Sequence, residues 1–212
     1  MTADLSARDL LASNPIVPVI VIDDAARAPQ LVAALAAGGI HCAEITLRTP
    51  AAIEALRVMA TVPDFTAGVG TVRSLLDLER SKAAGAAFVV CPGLDEELVA
   101  TAADHAIDVL PGVATATEVQ RALRLGLRLV KFFPADALGG LSAIRSLRGP
   151  FPEMGFVPSG GVTAASALDY LADPGVPAVS GSWMATRDLI ARGDFEEIER
   201  LSAETTTAIG AL

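Results

Sequence analysis

Only two lysines, Lys82 and Lys131, stand among the 16 basic residues of the 212-residue chain. One of them interrupts an apolar run, Leu129-Val130-Lys131-Phe132-Phe133-Pro134. Side chains alternate across a strand, so Leu129, Lys131 and Phe133 share one face, and Val130 and Phe132 share the other. A buried ammonium is unfavourable, and burial therefore favours the neutral amine. That is the state in which an amine attacks a carbonyl carbon. Such a lysine can also reach back to water or pair with a buried carboxylate. Lys82, beside Ser81 and three residues before Gly85, is expected on a solvated helix surface.

In a second run, Cys42-Ala43-Glu44-Ile45-Thr46-Leu47-Arg48-Thr49, the residues from Ala43 to Arg48 alternate apolar and polar. Ala43, Ile45 and Leu47 form an apolar face, while Glu44, Thr46 and Arg48 face the other way. Glu44 is then a mid-strand carboxylate suited to general acid–base work. Arg48 sits further along, where a guanidinium can grip a carboxylate through two parallel hydrogen bonds. An ion pair of Glu44 with Arg48 or Lys131 is the structural alternative, although apolar replacements of buried pairs are often as stable. Asp136, in Pro134-Ala135-Asp136, is a competing acid, but also a common turn residue.

Later runs end in glycine: Pro158-Ser159-Gly160-Gly161-Val162-Thr163 and Ser180-Gly181-Ser182-Trp183. Backbone N–H groups exposed just before a helix attract anions, phosphate included. Thr71, after Gly68-Val69-Gly70, and Pro92-Gly93 add polar and rigid elements.

Elements must hold these groups together. Eight apolar runs read as strands, namely Ile16–Ile22, Cys42–Leu47, Phe65–Val69, Ala87–Cys91, Ile107–Leu110, Arg128–Phe133, Gly155–Pro158 and Pro177–Ser180. Each is short and most are rich in Val, Ile or Phe. Between them Arg27–Ala37, Pro50–Ala60, Ser74–Ala84, Asp95–Ala103, Ala116–Leu125, Leu141–Leu147 and Ala164–Leu171 have helical composition. Gly38-Gly39, Gly85 and Gly126 close three of these helices, and Thr49-Pro50 and Thr115 are expected to open two. Leu5–Ala12 reads as an extra leading helix and Asp194–Ile209 as a closing one. Strict strand–helix alternation requires parallel strands. Eight units point to a (β/α)8 TIM barrel with an extra N-terminal helix, forming one domain over residues 1–212. The first strand ends Ile22-Asp23-Asp24-Ala25 without the glycines of a dinucleotide-binding turn, which disfavours an open doubly wound sheet. In a barrel, function gathers at the C-terminal strand ends.

Composition narrows the partners. With 52% hydrophobic and 19% charged residues, the chain is globular. A net charge of −9 leaves no basic footprint for nucleic acid. Two cysteines, Cys42 and Cys91, are too few for a disulfide scaffold or a four-cysteine zinc site. No uninterrupted apolar stretch reaches membrane-spanning length, and residues 1–14 lack signal-peptide character. A reduced, cytoplasmic protein is the expectation.

The motifs Glu44-Ile45-Thr46-Leu47-Arg48-Thr49, Gly70-Thr71-Val72, Cys91-Pro92-Gly93, Lys131-Phe132-Phe133-Pro134-Ala135 and Pro158-Ser159-Gly160-Gly161 resemble a known family. It is the class I aldolases of 2-keto-3-deoxy-6-phosphogluconate (KDPG) and 4-hydroxy-2-oxoglutarate (KHG). The resemblance runs from Val17-Pro18-Val19-Ile20 to Gly181-Ser182-Trp183. It implies Lys131 as the Schiff-base residue and Glu44 as acid and base. Arg48 and Thr71 would bind the pyruvyl carboxylate, Pro92 and Phe133 would line the pocket, and Ser159, Gly160, Gly161, Gly181 and Ser182 would contact the distal part and its phosphate. It also implies a phosphorylated 2-keto acid as substrate, no cofactor or metal, and a homotrimer. The family tends to carry threonine at Ser159 and serine at Cys91. Cleavage of the galactonate-derived epimer is an alternative, as is a metal-free phosphosugar isomerase or epimerase, which would not require the inward lysine. A non-catalytic binding protein would be free to lose Lys131, Glu44 or Arg48, and all three are present.

Overall fold

A computed structural model describes residues 14–211. The expected leading helix over Leu5–Ala12 lies outside the described residues. Nine strands occur among those described: β1 (Ile16–Ile20), β2 (Cys42–Thr46), β3 (Thr66–Gly70), β4 (Phe88–Val90), β5 (Asp108–Leu110), β6 (Gly112–Val113), β7 (Leu129–Phe132), β8 (Gly155–Pro158) and β9 (Val179–Gly181). Nine α-helices follow them: α1 (Ala28–Ala37), α2 (Ala52–Met59), α3 (Leu75–Ala83), α4 (Glu96–Asp104), α5 (Ala116–Arg124), α6 (Gly140–Arg148), α7 (Ala164–Leu171), α8 (Arg187–Arg192) and α9 (Phe195–Ile209).

The strands form a curled parallel sheet in two pieces, ordered β5-β4-β3-β2-β1-β9 and β6-β7-β8. A parallel bridge between Ser159 and Ser180 joins one flank of the small piece to the large one. At the other flank Pro111 separates β5, which falls within the fifth apolar run, from β6, a two-residue strand beyond it that the sequence reading did not include. A proline lacks the N–H that would continue the ladder. Its carbonyl still accepts from the Lys131 N–H at 2.9 Å.

Alternation along the strands sorts the core into two clusters. Val17, Cys42, Phe88, Val90, Leu110, Leu129, Val157 and Ala178 pack together on the concave side. Ala43, Ile45, Val130, Phe132 and Phe156 join the larger cluster beneath the helices, where the Phe132 and Phe156 rings meet edge to face at 6.4 Å. The two parities expected for β2 and β7 are therefore the two sides of the sheet.

Helix ends follow local chemistry, with one reassignment. Thr115 caps α5 in a reciprocal box with Glu118, and Thr163 caps α7 by accepting from Ser166 N–H. Gly39, Gly85 and Gly126 adopt positive φ after α1, α3 and α5. Thr49, expected to start α2, instead donates its hydroxyl to the Ile22 carbonyl at 2.5 Å. The helix begins two residues after Pro50, behind Ala51, without a side-chain cap. The short α8 was not expected from the sequence.

Candidate functional site

β2 and β7 bring Glu44 and Lys131 face to face across the concave side. Lys131 Nζ donates to Glu44 Oε1 at 3.5 Å, and the side chains are only 8% and 1% exposed. The contact closes a separation of 87 residues. Glu44 Oε2 is buried and has no hydrogen-bond partner. This carboxylate thus holds one oxygen against the amine and keeps the second available to another donor. Lys131 Nζ also stands 5.2 Å from the centroid of the Phe133 ring, within cation–π range. Phe133 is 37% exposed, so the ring forms part of the mouth.

Glycine makes this meeting possible. A Cβ built on Gly70, at the end of β3, would fall 1.9 Å from Glu44 Oε1. β2 and β3 pair in register, with Thr46 opposite Gly70, and any side chain there would push Glu44 aside. Thr71 follows at φ +63°, a left-handed conformation that is uncommon outside glycine. On the far flank Gly112 pairs with Lys131. A Cβ there would fall 2.2 Å from the Pro92 carbonyl oxygen, and the Gly112 N–H donates to the Gly93 carbonyl at 3.3 Å. The Pro92-Gly93 turn is thereby seated beside the lysine strand. Gly70 and Gly112 were not singled out from the sequence as making room for the pair. The available signal was a glycine inside or ending a strand, which marks close approach of another group.

The other expected residues lie on neighbouring strands and turns. Thr46, 1% exposed, donates to the Ile20 carbonyl at 2.7 Å and accepts from Arg48 Nε at 3.2 Å. That leaves the terminal guanidinium nitrogens of the exposed Arg48 beyond the strand end. Ser159 is buried and bridges to β9. Gly160 and Gly161 adopt φ of +90° and +81°, conformations that glycine alone takes readily. Gly160 lies against the Phe133 ring, and a Cβ on Gly161 would fall 2.3 Å from that of Asp136. Asp136 is thus a neighbour of the glycine turn. Gly181 is buried and Ser182 exposed at the end of β9.

Cys91 is a free, buried thiol. It packs in the cluster beneath the helices, and burial raises its thiol to about 12, against a smaller downward pull from Lys131. Pro92 borders a cleft of about 210 Å3 together with Val72, Arg73 and Leu98, a wall shared by neither Lys131 nor Glu44. Lys82 is exposed as expected, yet not simply solvated: its Nζ lies 2.7 Å from His105 Nδ1. No group of three or more metal-ligating side chains is assembled among the described residues.

Residues 8–201 match the model of the KDPG and KHG aldolase family. The chain is 41% identical to the 2-dehydro-3-deoxy-phosphogluconate aldolase of Dickeya dadantii, over 97% of both chains. It is 40% identical to the KHG/KDPG aldolase of Escherichia coli K12, over 94% of both. Among solved structures it is similar to KDPG aldolase from Legionella pneumophila with pyruvate captured as a covalent carbinolamine. That likeness has a TM-score of 0.90 at 38% identity, covering 93% of this chain and 97% of the other.

Proposed function

This chain belongs to the KDPG and KHG aldolase family, and on that premise we propose how its own residues carry the reaction. It is a class I aldolase that cleaves 2-keto-3-deoxy-6-phosphogluconate to pyruvate and glyceraldehyde 3-phosphate. 4-Hydroxy-2-oxoglutarate, giving pyruvate and glyoxylate, is its second substrate.

The observation that carries the assignment of roles is the buried approach of Lys131 Nζ to Glu44 Oε1 at 3.5 Å. Lys131 attacks the C2 ketone as the free amine. Loss of water from the carbinolamine leaves an iminium that draws electrons from the neighbouring carbons. Glu44 takes the proton of the C4 hydroxyl. The C3–C4 bond breaks, its electron pair forms the enamine, and the aldehyde leaves. Glu44 returns the proton to C3, water adds to the resulting iminium, and pyruvate departs as Lys131 is restored. Arg48 and Thr71 hold the pyruvyl carboxylate, while Pro92 and Phe133 shape the mouth. Ser159, Gly160, Gly161, Gly181 and Ser182 receive the phosphate end. Because the chain carries −9 overall, Arg48 and the glycine-turn N–H groups supply the local attraction for an anion.

The two sheet pieces belong to one closed (β/α)8 barrel spanning a single domain, with the Ser159–Ser180 bridge and the Pro111 junction as its seams. A homotrimer rests on the family resemblance, and sedimentation equilibrium checks it. The substrate assignment is tested by pyruvate release from KDPG, from its galactonate epimer and from 4-hydroxy-2-oxoglutarate. The highest kcat/KM is expected for KDPG. A preference for the epimer would overturn the substrate assignment and leave the covalent mechanism standing.

A further inference from the structure

The turn that ends β9 is held from behind by the only tryptophan of the chain. Trp183 follows Ser182, and its ring lies against Gly181: a Cβ there would fall 2.0 Å from Cζ3 and 2.4 Å from Cε3. The indole Nε1 donates to Thr205 Oγ1 in α9 at 3.0 Å. That hydroxyl donates its own proton to the Leu201 carbonyl at 2.8 Å, which leaves its lone pairs to the indole. Thr205 is 8% exposed and borders the same cavity as the indole. Past Ser182, Met184 and Ala185 are fully buried, and the Ala185 N–H donates to the Ser182 carbonyl at 3.2 Å. Ser182 is therefore an exposed residue in a turn pinned on both sides.

Packing alone leaves the ring room to shift. A cavity of about 110 Å3 lies beside it, bounded by Ala164, Ala167, Leu168, Leu201 and Ile209. Ring atoms next to a void lack partner atoms on that side. The directional restraint on the indole is then its hydrogen bond to Thr205.

We propose that Trp183 is a positioning residue for the phosphate end of the substrate: its bond to Thr205 ties the β9 turn to α9 and fixes the direction of Ser182. This rests on the reading above in which Ser182 meets a phosphate monoester. Loosening the tie affects ligands that carry the phosphate and spares those that do not, because Lys131 and Glu44 stand on β7 and β2.

Retro-aldol kinetics on KDPG test this with Trp183→Phe and Thr205→Val, and with Thr205→Ser as the variant that keeps the hydroxyl. The phosphate-free reference is the pyruvate concentration giving half-maximal inactivation by borohydride. Each of the first two variants is expected to raise the KM for KDPG about three- to tenfold, the worth of one net hydrogen bond, with kcat and the pyruvate reference within twofold. Thr205→Ser is expected to restore KM, and the Phe/Val double variant to be no worse than either single one. An unchanged KM for KDPG, or equal shifts in KM and in the pyruvate reference, would overturn the role of Trp183. Failure of the unmodified protein to trap pyruvate at all would overturn the aldolase reading beneath it as well.

Discussion

The concave side of the sheet divides into two storeys built from the same strands. In the lower one Cys42 and Leu129 belong with Val17 and Ala178 to an apolar cluster. Two residues further along β2 and β7 stand Glu44 and Lys131, also buried but ionisable and facing each other at 3.5 Å. Direction is common to both storeys, since strand parity aims all these side chains inward. Height along the strand separates stability from chemistry. The lower storey supplies burial that tolerates no polarity. The upper storey accepts two ionisable groups because each is the other's partner and the mouth lies just above.

The sharpest way to break this contrast is Lys131→Met. Cleavage is expected to fall by several orders of magnitude and the pyruvate–borohydride adduct to vanish, with far-UV circular dichroism unchanged. Next is Glu44→Gln, expected to lower kcat by roughly 10^2–10^4, the range for a lost acid–base group, while still trapping pyruvate. Failure of that variant to form any adduct would place Glu44 earlier in the sequence of steps.

Leu129→Ala probes the lower storey. Leu129 is 6% exposed, and truncation there is expected to cost about 2–5 kcal/mol in denaturant unfolding. The kcat per folded molecule should stay near that of the parent. A large loss of kcat at full folding would erase the division between storeys.

The smallest effect concerns the ends of the helices that return beneath the sheet. Asp173, 6% exposed, accepts from Arg145 at 2.8 Å and Arg148 at 3.0 Å. The Arg145 hydrogen bond and the Gly175 N–H hold its carboxyl below the usual range. A folded-state value below the unfolded one of about 3.9 means the unfolded chain binds more protons in between. The stabilisation is complete above about pH 4 and is lost as pH falls through the lower, folded-state value. Asp173→Asn should therefore flatten the acid limb of a melting temperature–pH curve, with activity at neutral pH preserved.

Much of the upper storey was legible in the sequence, because period-two alternation in β2 and β7 fixes which residues turn inward. A lysine and a glutamate on the inward parity are conspicuous against their apolar neighbours. What stayed hidden depends on approach between distant segments. Gly70 and Gly112 matter through the Glu44 side chain and the Pro92 carbonyl that each would strike, and no local pattern announces a collision. Thr49 looked like a helix cap, yet its hydroxyl found the Ile22 carbonyl 27 residues away. At the rim, Asp23 and Arg187 form a two-pronged pair at 2.7 Å across 164 residues, which only the neighbouring placement of β1 and β9 brings about.

The central claim is that the amine of Lys131 bonds to the keto carbon of pyruvate. Borohydride reduction in the presence of pyruvate, followed by proteolysis and peptide mass spectrometry, measures this directly. The modification is expected on the peptide carrying Lys131 and on no other, lost on Lys131→Met and retained on Glu44→Gln. A reduced pyruvyl group on Lys82 or the terminal amine, with Lys131 unmodified, would contradict the account.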